Sequence, residues 1–116
     1  MSEKPPGDFK QAARSLVEVD RLIHEPARLM IVTILSVVES ADFLYLQRET
    51  ELTRGNLSAH ISRLEEAGYL TVEKTYRGKI PLTICRLTDA GRDAYENYRK
   101  RLKHFVENTT VKDLEK

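Results

Sequence analysis

The sequence predicts a mainly α-helical domain with one β-hairpin, and three patterns support this prediction. A helix with clear start and end signals spans residues 53–67. Two runs rich in Val, Thr, Tyr and Ile follow it, residues 70–76 and 80–87, and a glycine lies in the segment that joins them. A last helix begins after Thr88 and repeats apolar residues at steps of three and four.

Three further helices are expected before residue 53. The first covers residues 8–23, and the second covers residues 26–39 with apolar side chains on almost every side, which is typical of a helix buried among others. Pro26 separates the two, because the residue before a proline avoids the α-helical region. A very short strand near Phe43 and a helix over residues 44–50 come next.

The helix over residues 53–67 has the strongest boundary signals. Thr53 is suited to accept a hydrogen bond from the N–H of Asn56, and Leu52 and Leu57 occupy the positions of a hydrophobic staple. Gly68 comes where a helix commonly ends with a left-handed residue. A helix, a tight turn, this second helix and then a hairpin together predict a winged helix-turn-helix.

Length and composition limit the class of protein. The 116 residues suffice for one domain with a core, with expected flexible tails at residues 1–7 and 107–116 around a domain over residues 8–106. Apolar runs are too short to cross a bilayer, and the N-terminus lacks the apolar segment of a signal peptide, so no membrane contact is expected. Cys85 is the only cysteine and excludes an intrachain disulfide, which fits a cytoplasmic protein. The role of Cys85 itself stays open.

Positive charge gathers where the helix and hairpin lie. The net charge is only +1, but residues 53–86 contain six basic and three acidic residues and therefore carry +3. Residues 42–52 carry −2. This distribution favours a polyanionic partner near the hairpin, although charge alone also fits an ordinary solvated surface.

At 100° per residue, the helix has a core-facing side formed by Leu57, Ile61 and Leu64. The opposite side has mostly small side chains: Gly55, Ala59, Ser62 and, at its end, Glu66. Small side chains let a helix backbone approach another surface closely. Asn56 and Arg63 flank this side and are expected to read base edges of double-stranded DNA.

Other polar residues are suited to the DNA backbone. Arg54 and Ser58 lie to the side of the helix, where phosphate oxygens would be. Lys74, Arg77 and Lys79 place three cations on the hairpin, which can lie along phosphates or enter the minor groove. Each feature has a simpler explanation, an amphipathic surface helix and lysines that discourage edge pairing, but their adjacency favours DNA binding.

No catalytic motif or metal-ligand spacing is present, so neither an enzyme nor a cofactor is expected. The three histidines lie on separate elements, and His60, at the edge of the core-facing side, is expected to have a structural, hydrogen-bonded role.

The last helix predicts a homodimer. Tyr95, Tyr98, Leu102 and Phe105 follow each other at steps of three and four, as in a coiled-coil seam. With Leu16 of the first helix they are the expected dimer interface, while packing within one chain is the alternative.

The segment from Leu52 to Tyr69, followed by the hairpin and by the run from Leu87 to Arg92, resembles winged-helix transcriptional regulators of the MarR/ArsR-like superfamily. The resemblance implies DNA binding as a homodimer, regulation of transcription, and entry of helix 53–67 into the major groove with the wing over residues 72–87. Because Cys85 has no second thiol beside it in the sequence, metal sensing through paired thiolates is not expected.

The predicted function is therefore sequence-specific binding of double-stranded DNA by a dimeric transcriptional regulator. A winged-helix module that binds another protein is the alternative. A small-molecule effector is possible in such a regulator, but the sequence does not identify one.

Overall fold

The computed structural model describes residues 9–109. The chain begins with α1 (Phe9–Ser15), a 3-10 turn (Leu16–Glu18), α2 (Pro26–Val37), β1 (Ala41–Asp42), α3 (Phe43–Thr50) and α4 (Arg54–Glu66). It continues with β2 (Leu70–Arg77), β3 (Ile80–Leu87) and α5 (Asp89–Thr109). The predicted winged helix-turn-helix is confirmed, with α3 and α4 as the two helices and β2–β3 as the wing. The expected N-terminal tail lies outside the described residues, and α5 extends three residues into the expected C-terminal tail.

The first helix is shorter than the predicted helix over residues 8–23. It ends at Ser15, and after the 3-10 turn the Asp20 carboxylate accepts hydrogen bonds from the backbone N–H groups of Leu22 (2.9 Å) and Ile23 (3.2 Å). An aspartate that bonds nearby backbone N–H groups competes with helix formation, which keeps residues 20–23 out of the predicted helix.

The core lies between α2, α4, the wing base and the start of α5. Its buried side chains include Ile31, Leu35, Leu46, Leu57, Leu64 and Cys85. The prediction that α2 is buried on nearly all sides is wrong at Met30 and Val37, which are 37% and 78% exposed. Both residues lie on the opposite side of the helix from its buried positions, where no neighbouring element covers them in the described chain.

The sheet has the strand order β1-β3-β2 and is antiparallel. Strands β2 and β3 pair over their full lengths, from Leu70 with Leu87 to Arg77 with Ile80. Strand β1 is the predicted very short strand, but Phe43 follows it as the first residue of α3. Because β1 pairs only with residues 84 and 85, the outer half of the wing is a two-stranded ribbon.

The ends of α4 follow the predicted signals. Thr53 Oγ1 accepts from the N–H of Asn56 at 3.1 Å. At the other end Gly68 has φ 83°, and the N–H of Tyr69 donates to the carbonyl of Leu64 at 2.9 Å. These contacts set where α4 begins and ends, and so the direction in which it presents its outer side.

Candidate nucleic-acid interface

The side of α4 with small side chains faces solvent. Gly55, Ala59 and Ser62 are exposed, while the opposite side is buried in the core. Asn56 and Arg63 are also exposed, and within residues 9–109 their side chains make no hydrogen bond or ion pair. The predicted base-reading residues are therefore available to a partner.

Arg54 is oriented by an aromatic ring at the start of α3. Its guanidinium carbon lies 5.4 Å from the centroid of the Phe43 ring. The position of Phe43 is set by Asp42, whose carboxylate caps α3 by accepting from the N–H of Tyr45 at 2.8 Å. Sequence reasoning missed Phe43, because its only local signal was the capping residue before it.

A cleft of about 500 Å³ separates α4 from the wing. Its polar lining comes from both elements: Arg54, Ser58, Ser62 and Glu65 of α4, and Lys74 and Thr83 of the wing. The structure thus brings together three predicted phosphate contacts, Arg54, Ser58 and Lys74. Glu65 and, from β1, Asp42 also line the cleft and place two negative charges beside these residues.

The three predicted wing cations, Lys74, Arg77 and Lys79, are all exposed. Arg77 does not line the cleft. It lies on the other face of the wing, in a depression that also contains Arg48 of α3. Another basic residue of the wing, Arg86, is paired with Glu73 at 3.2 Å, so its charge is partly neutralised.

Comparison with known proteins identifies the fold family. The chain matches the family "Winged helix DNA-binding domain" over residues 27–106. It belongs to this family. It is 34% identical over 79 residues to the Methanocaldococcus jannaschii protein MJ0432, a match that covers 67% of this chain and 85% of that protein.

Solved structures agree with this assignment. A transcriptional regulator homologue from Pyrococcus horikoshii is 28% identical with a TM-score of 0.79, over 84% of this chain and 99% of that one. The transcriptional regulator BldR from Sulfolobus solfataricus is 21% identical with a TM-score of 0.62, over 94% and 77% of the two chains, and supports the fold alone. The protein is thus a winged-helix protein of a DNA-binding family.

His60 joins the winged-helix core through a buried arginine. The Arg28 side chain, 8% exposed, donates from Nη1 to His60 Nδ1 at 3.1 Å and from Nε to the Leu22 carbonyl at 2.6 Å. A guanidinium only donates, so His60 Nδ1 accepts this bond. The structural role expected for His60 is confirmed. Arg28 was missed, since arginines are mostly exposed and nothing in the sequence marks it as buried.

Two residues predicted for a dimer interface are buried within their own chain. Tyr95 and Tyr98 are 9% and 4% exposed. The Tyr95 hydroxyl donates to Thr33 Oγ1 at 3.0 Å, and the Tyr98 hydroxyl lies 2.8 Å from His24 Nδ1. Burial raises the pKa of Tyr98 above its usual value of 10.0. These tyrosines attach α5 to the core, and little of their surface is left for a second chain.

The other predicted dimer residues are less buried. Leu16, Leu102 and Phe105 are each partly exposed, and Leu16 and Leu102 pack beside Tyr98. Val106, one position further along α5, is 51% exposed. The outer half of α5, residues 99–109, therefore has exposed apolar surface, which the inner half, residues 89–98, lacks.

Cys85 lies in the core at the centre of the sheet, opposite Ala41 and Val72. Burial raises the pKa of its thiol to about 11, and the charges of Glu65 and Asp42 add to this. The role left open by the sequence is thus a packing role, because a neutral buried thiol behaves as a small apolar side chain.

Within residues 9–109, no three His, Cys, Asp or Glu side chains are grouped to hold a metal ion. In the same residues, no helix is long and apolar enough to span a membrane.

Proposed function

We propose that this winged-helix protein is a dimeric transcriptional regulator that binds specific sequences of double-stranded DNA, with α4 in the major groove. The observation that carries the proposal is the exposed side of α4, where small side chains lie between two polar side chains that have no partner in the described chain. We also propose that the protein acts by binding and not by catalysis.

The dimensions of α4 support its entry into the groove. A helix with its side chains is about 10–12 Å wide, and the major groove is about 12 Å wide. Gly55, Ala59 and Ser62 reduce the width of the side that would face the bases. Asn56 and Arg63 could then reach base edges, where Asn pairs with adenine and Arg with guanine.

Contacts with the DNA backbone would come from the cleft and the wing. Arg54, Ser58 and Lys74 line one cleft, and a phosphodiester backbone that passes between α4 and the wing would meet all three. The ring of Phe43 holds Arg54 beside this path, which reduces the conformational entropy that Arg54 loses on binding. Arg77 and Lys79 would contact phosphates on either side of the minor groove.

The outer half of α5 is the proposed dimer surface. Helix α5 has 21 residues and is therefore about 31 Å long. The part of the chain that the structure describes measures 69 × 26 × 22 Å, which is long for a single domain of this size. Phe105 and Val106, with Leu102 and Leu16 beside them, would pack against a second copy around a two-fold axis. Such a dimer would read two half-sites about 34–36 Å apart.

The alternative is that the same surface binds a protein. Selection of bound sequences from random duplexes, followed by a salt titration on the selected site, separates the two. A DNA-binding protein yields a recurring sequence and loses affinity steeply as salt rises, by about 0.9 log units per log unit of salt for each phosphate neutralised. Failure to enrich any sequence, with no binding even at low salt, would contradict the proposal.

A further inference from the structure

We infer that the tip of the wing is an apolar wedge that enters the minor groove and makes the protein select deformable base steps beside the sequence read by α4. This inference rests on the proposed function. The wedge consists of Tyr76, Ile80 and Pro81, which surround the turn at Gly78 and Lys79.

The apolar residues of the wedge are unusually exposed. Tyr76 and Ile80 are 69% and 65% exposed, and Pro81 is exposed as well. Single exposed apolar side chains are common on protein surfaces. Tyr76 and Pro81 form a cross-strand pair on one face of the ribbon, and Ile80 lies on the other face, so both faces of the tip have exposed apolar surface. Arg77 and Lys79 lie between these residues in the chain, and this arrangement fits a partner with charged edges and an apolar interior.

The backbone of the wedge is narrow and firmly built. Arg77 pairs with Ile80, so only two residues form the turn, and Gly78 adopts φ 64°, which a residue with a side chain rarely does. Beyond the pairing with β1, the ribbon continues for four residue steps, or about 14 Å. The ribbon is therefore long enough for its tip to reach the base of a groove about 7.5 Å deep.

The width of the ribbon implies that the DNA must deform. Its two strands lie about 4.8 Å apart before side chains are added, whereas the minor groove of regular B-form DNA is about 6 Å wide. Entry of Ile80 and Pro81 would thus widen the groove and partly unstack a base step, as inserted apolar side chains do in other minor-groove proteins. Pyrimidine–purine steps deform most easily and would be preferred at this position.

The apolar wedge and the cations around it are expected to affect DNA binding in different ways, which can be measured separately. Lys79 would neutralise a phosphate whatever the sequence, whereas Ile80 would act only through the cost of deforming the step. Ile80→Thr keeps the branched β-carbon that suits a strand and changes no charge. Val37→Thr is the matched control, because Val37 is 78% exposed and belongs to α2 and not to the wing. It lies on the side of α2 that carries Thr33, and Thr33 accepts a hydrogen bond from Tyr95 of α5.

The test measures affinity for the selected site and for duplexes in which only the flanking step is changed, together with the DNA bend angle by fluorescence energy transfer. The wild-type protein and Val37→Thr are expected to prefer the pyrimidine–purine step by about tenfold and to bend the duplex. Ile80→Thr is expected to lose most of that preference and of the bend, with an unchanged salt slope. Lys79→Ala is expected to keep the preference and to flatten the salt slope by about one unit.

Tyr76→Thr, which also leaves the charge unchanged, provides a second variant and should reduce the preference in the same direction. If the wild-type protein binds its selected site but does not discriminate flanking steps, or if Ile80→Thr keeps the full discrimination, the inference is wrong and the proposed function stands. If the wild-type protein enriches no duplex sequence, both fail.

Discussion

Two arginines at opposite ends of the exposed side of α4 differ in how the structure holds them. Arg54 lies over the ring of Phe43, and its position is set before any DNA is bound. Arg63 has no partner within residues 9–109 and must be ordered by the partner itself. A preset cation suits a phosphate, which occurs at every step of DNA, while an unconstrained one suits a base that occurs only in the correct site.

Replacement of Arg63 should therefore reduce specificity as well as affinity. Arg63→Ala is expected to cost about 1–3 kcal/mol on the selected site and much less on unrelated duplexes, because it removes a base contact. Fluorescence anisotropy at fixed salt measures both. Arg92→Ala is the control, since Arg92 is an exposed arginine at the start of α5 that does not line the depression formed by Leu102 and Val106. Equal losses on specific and unrelated DNA would show that Arg63 contacts only the backbone.

At the scale of single elements, local sequence signals were sufficient to predict an element's ends where the contacts that stabilise those ends are local. Thr53 and Gly68 mark the ends of α4, and both contacts join residues only a few positions apart. The exposed side of α4 followed from helical spacing in the same way. The ring of Phe43 under Arg54 and the buried Arg28 at His60 depend on packing between distant segments, which the sequence pattern does not encode. The helix predicted to continue to residue 23 was wrong for a different reason, because the turn that Asp20 forms with Leu22 and Ile23 competes with an apolar spacing that favours helix.

Gly91 and Gly55 illustrate the difference between a glycine that the packing of the fold requires and a glycine in the proposed binding surface. A β-carbon at Gly91 would overlap the carbonyl oxygen of Tyr69, while one at Gly55 would meet nothing within 4 Å. Gly91→Ala should thus destabilise the fold by roughly 1–3 kcal/mol. Gly55→Ala should stabilise it by about 0.5–1 kcal/mol, because alanine is the better helix former.

For Gly55, the proposed DNA contact predicts opposite effects of substitution on stability and on DNA binding. Its substitution should weaken DNA binding although it raises the free energy of unfolding, because the added methyl group lies on the side that faces the bases. Chemical denaturation and a DNA titration of the same samples measure both quantities. Unchanged DNA affinity in Gly55→Ala would mean that the backbone does not come close to the DNA at this point.

The sheet should protect the thiol of Cys85. Because burial raises its pKa to about 11, the reactive thiolate is scarce at pH 8 and increases as the pH approaches that value. A thiol reagent should label the folded protein far more slowly at pH 8 than the protein unfolded in denaturant, where the pKa returns towards its usual value. Rapid labelling of the native protein at pH 8 would show that the sheet opens easily or that Cys85 is exposed.

At the scale of the whole molecule, the two halves of α5 serve different purposes. The inner half is attached to the core through Tyr95 and Tyr98. The outer half extends past the core with α1 alongside, where Arg101 pairs with Glu18 at 3.1 Å. A dimer formed through this outer half would relate the two α4 helices by a two-fold axis without disturbing either winged-helix domain.

This arrangement makes the oligomeric state sensitive to a change on the outer half of α5. Phe105→Glu is expected to shift the mass in light scattering from a dimer towards a monomer and to weaken binding to a two-half-site duplex, because it places a charge in an apolar contact. Lys100→Glu changes an exposed residue of the same helix that does not line the depression formed by Leu102 and Val106, and this variant should remain a dimer. A monomeric wild-type protein, or a dimeric Phe105→Glu variant, would contradict the proposed interface.

The central claim is that the small-residue side of α4 lies against the bases of duplex DNA. Ala59→Cys places a thiol in the middle of that side, and the buried Cys85 should leave it the only thiol that reacts quickly. The selected duplex is expected to slow the labelling of this thiol by a small thiol reagent, because bound DNA covers it. Labelling of Val37→Cys, at a position that is 78% exposed, should not change when the duplex is added. Labelling at position 59 that the duplex does not slow, or equal slowing at both positions, would contradict the account.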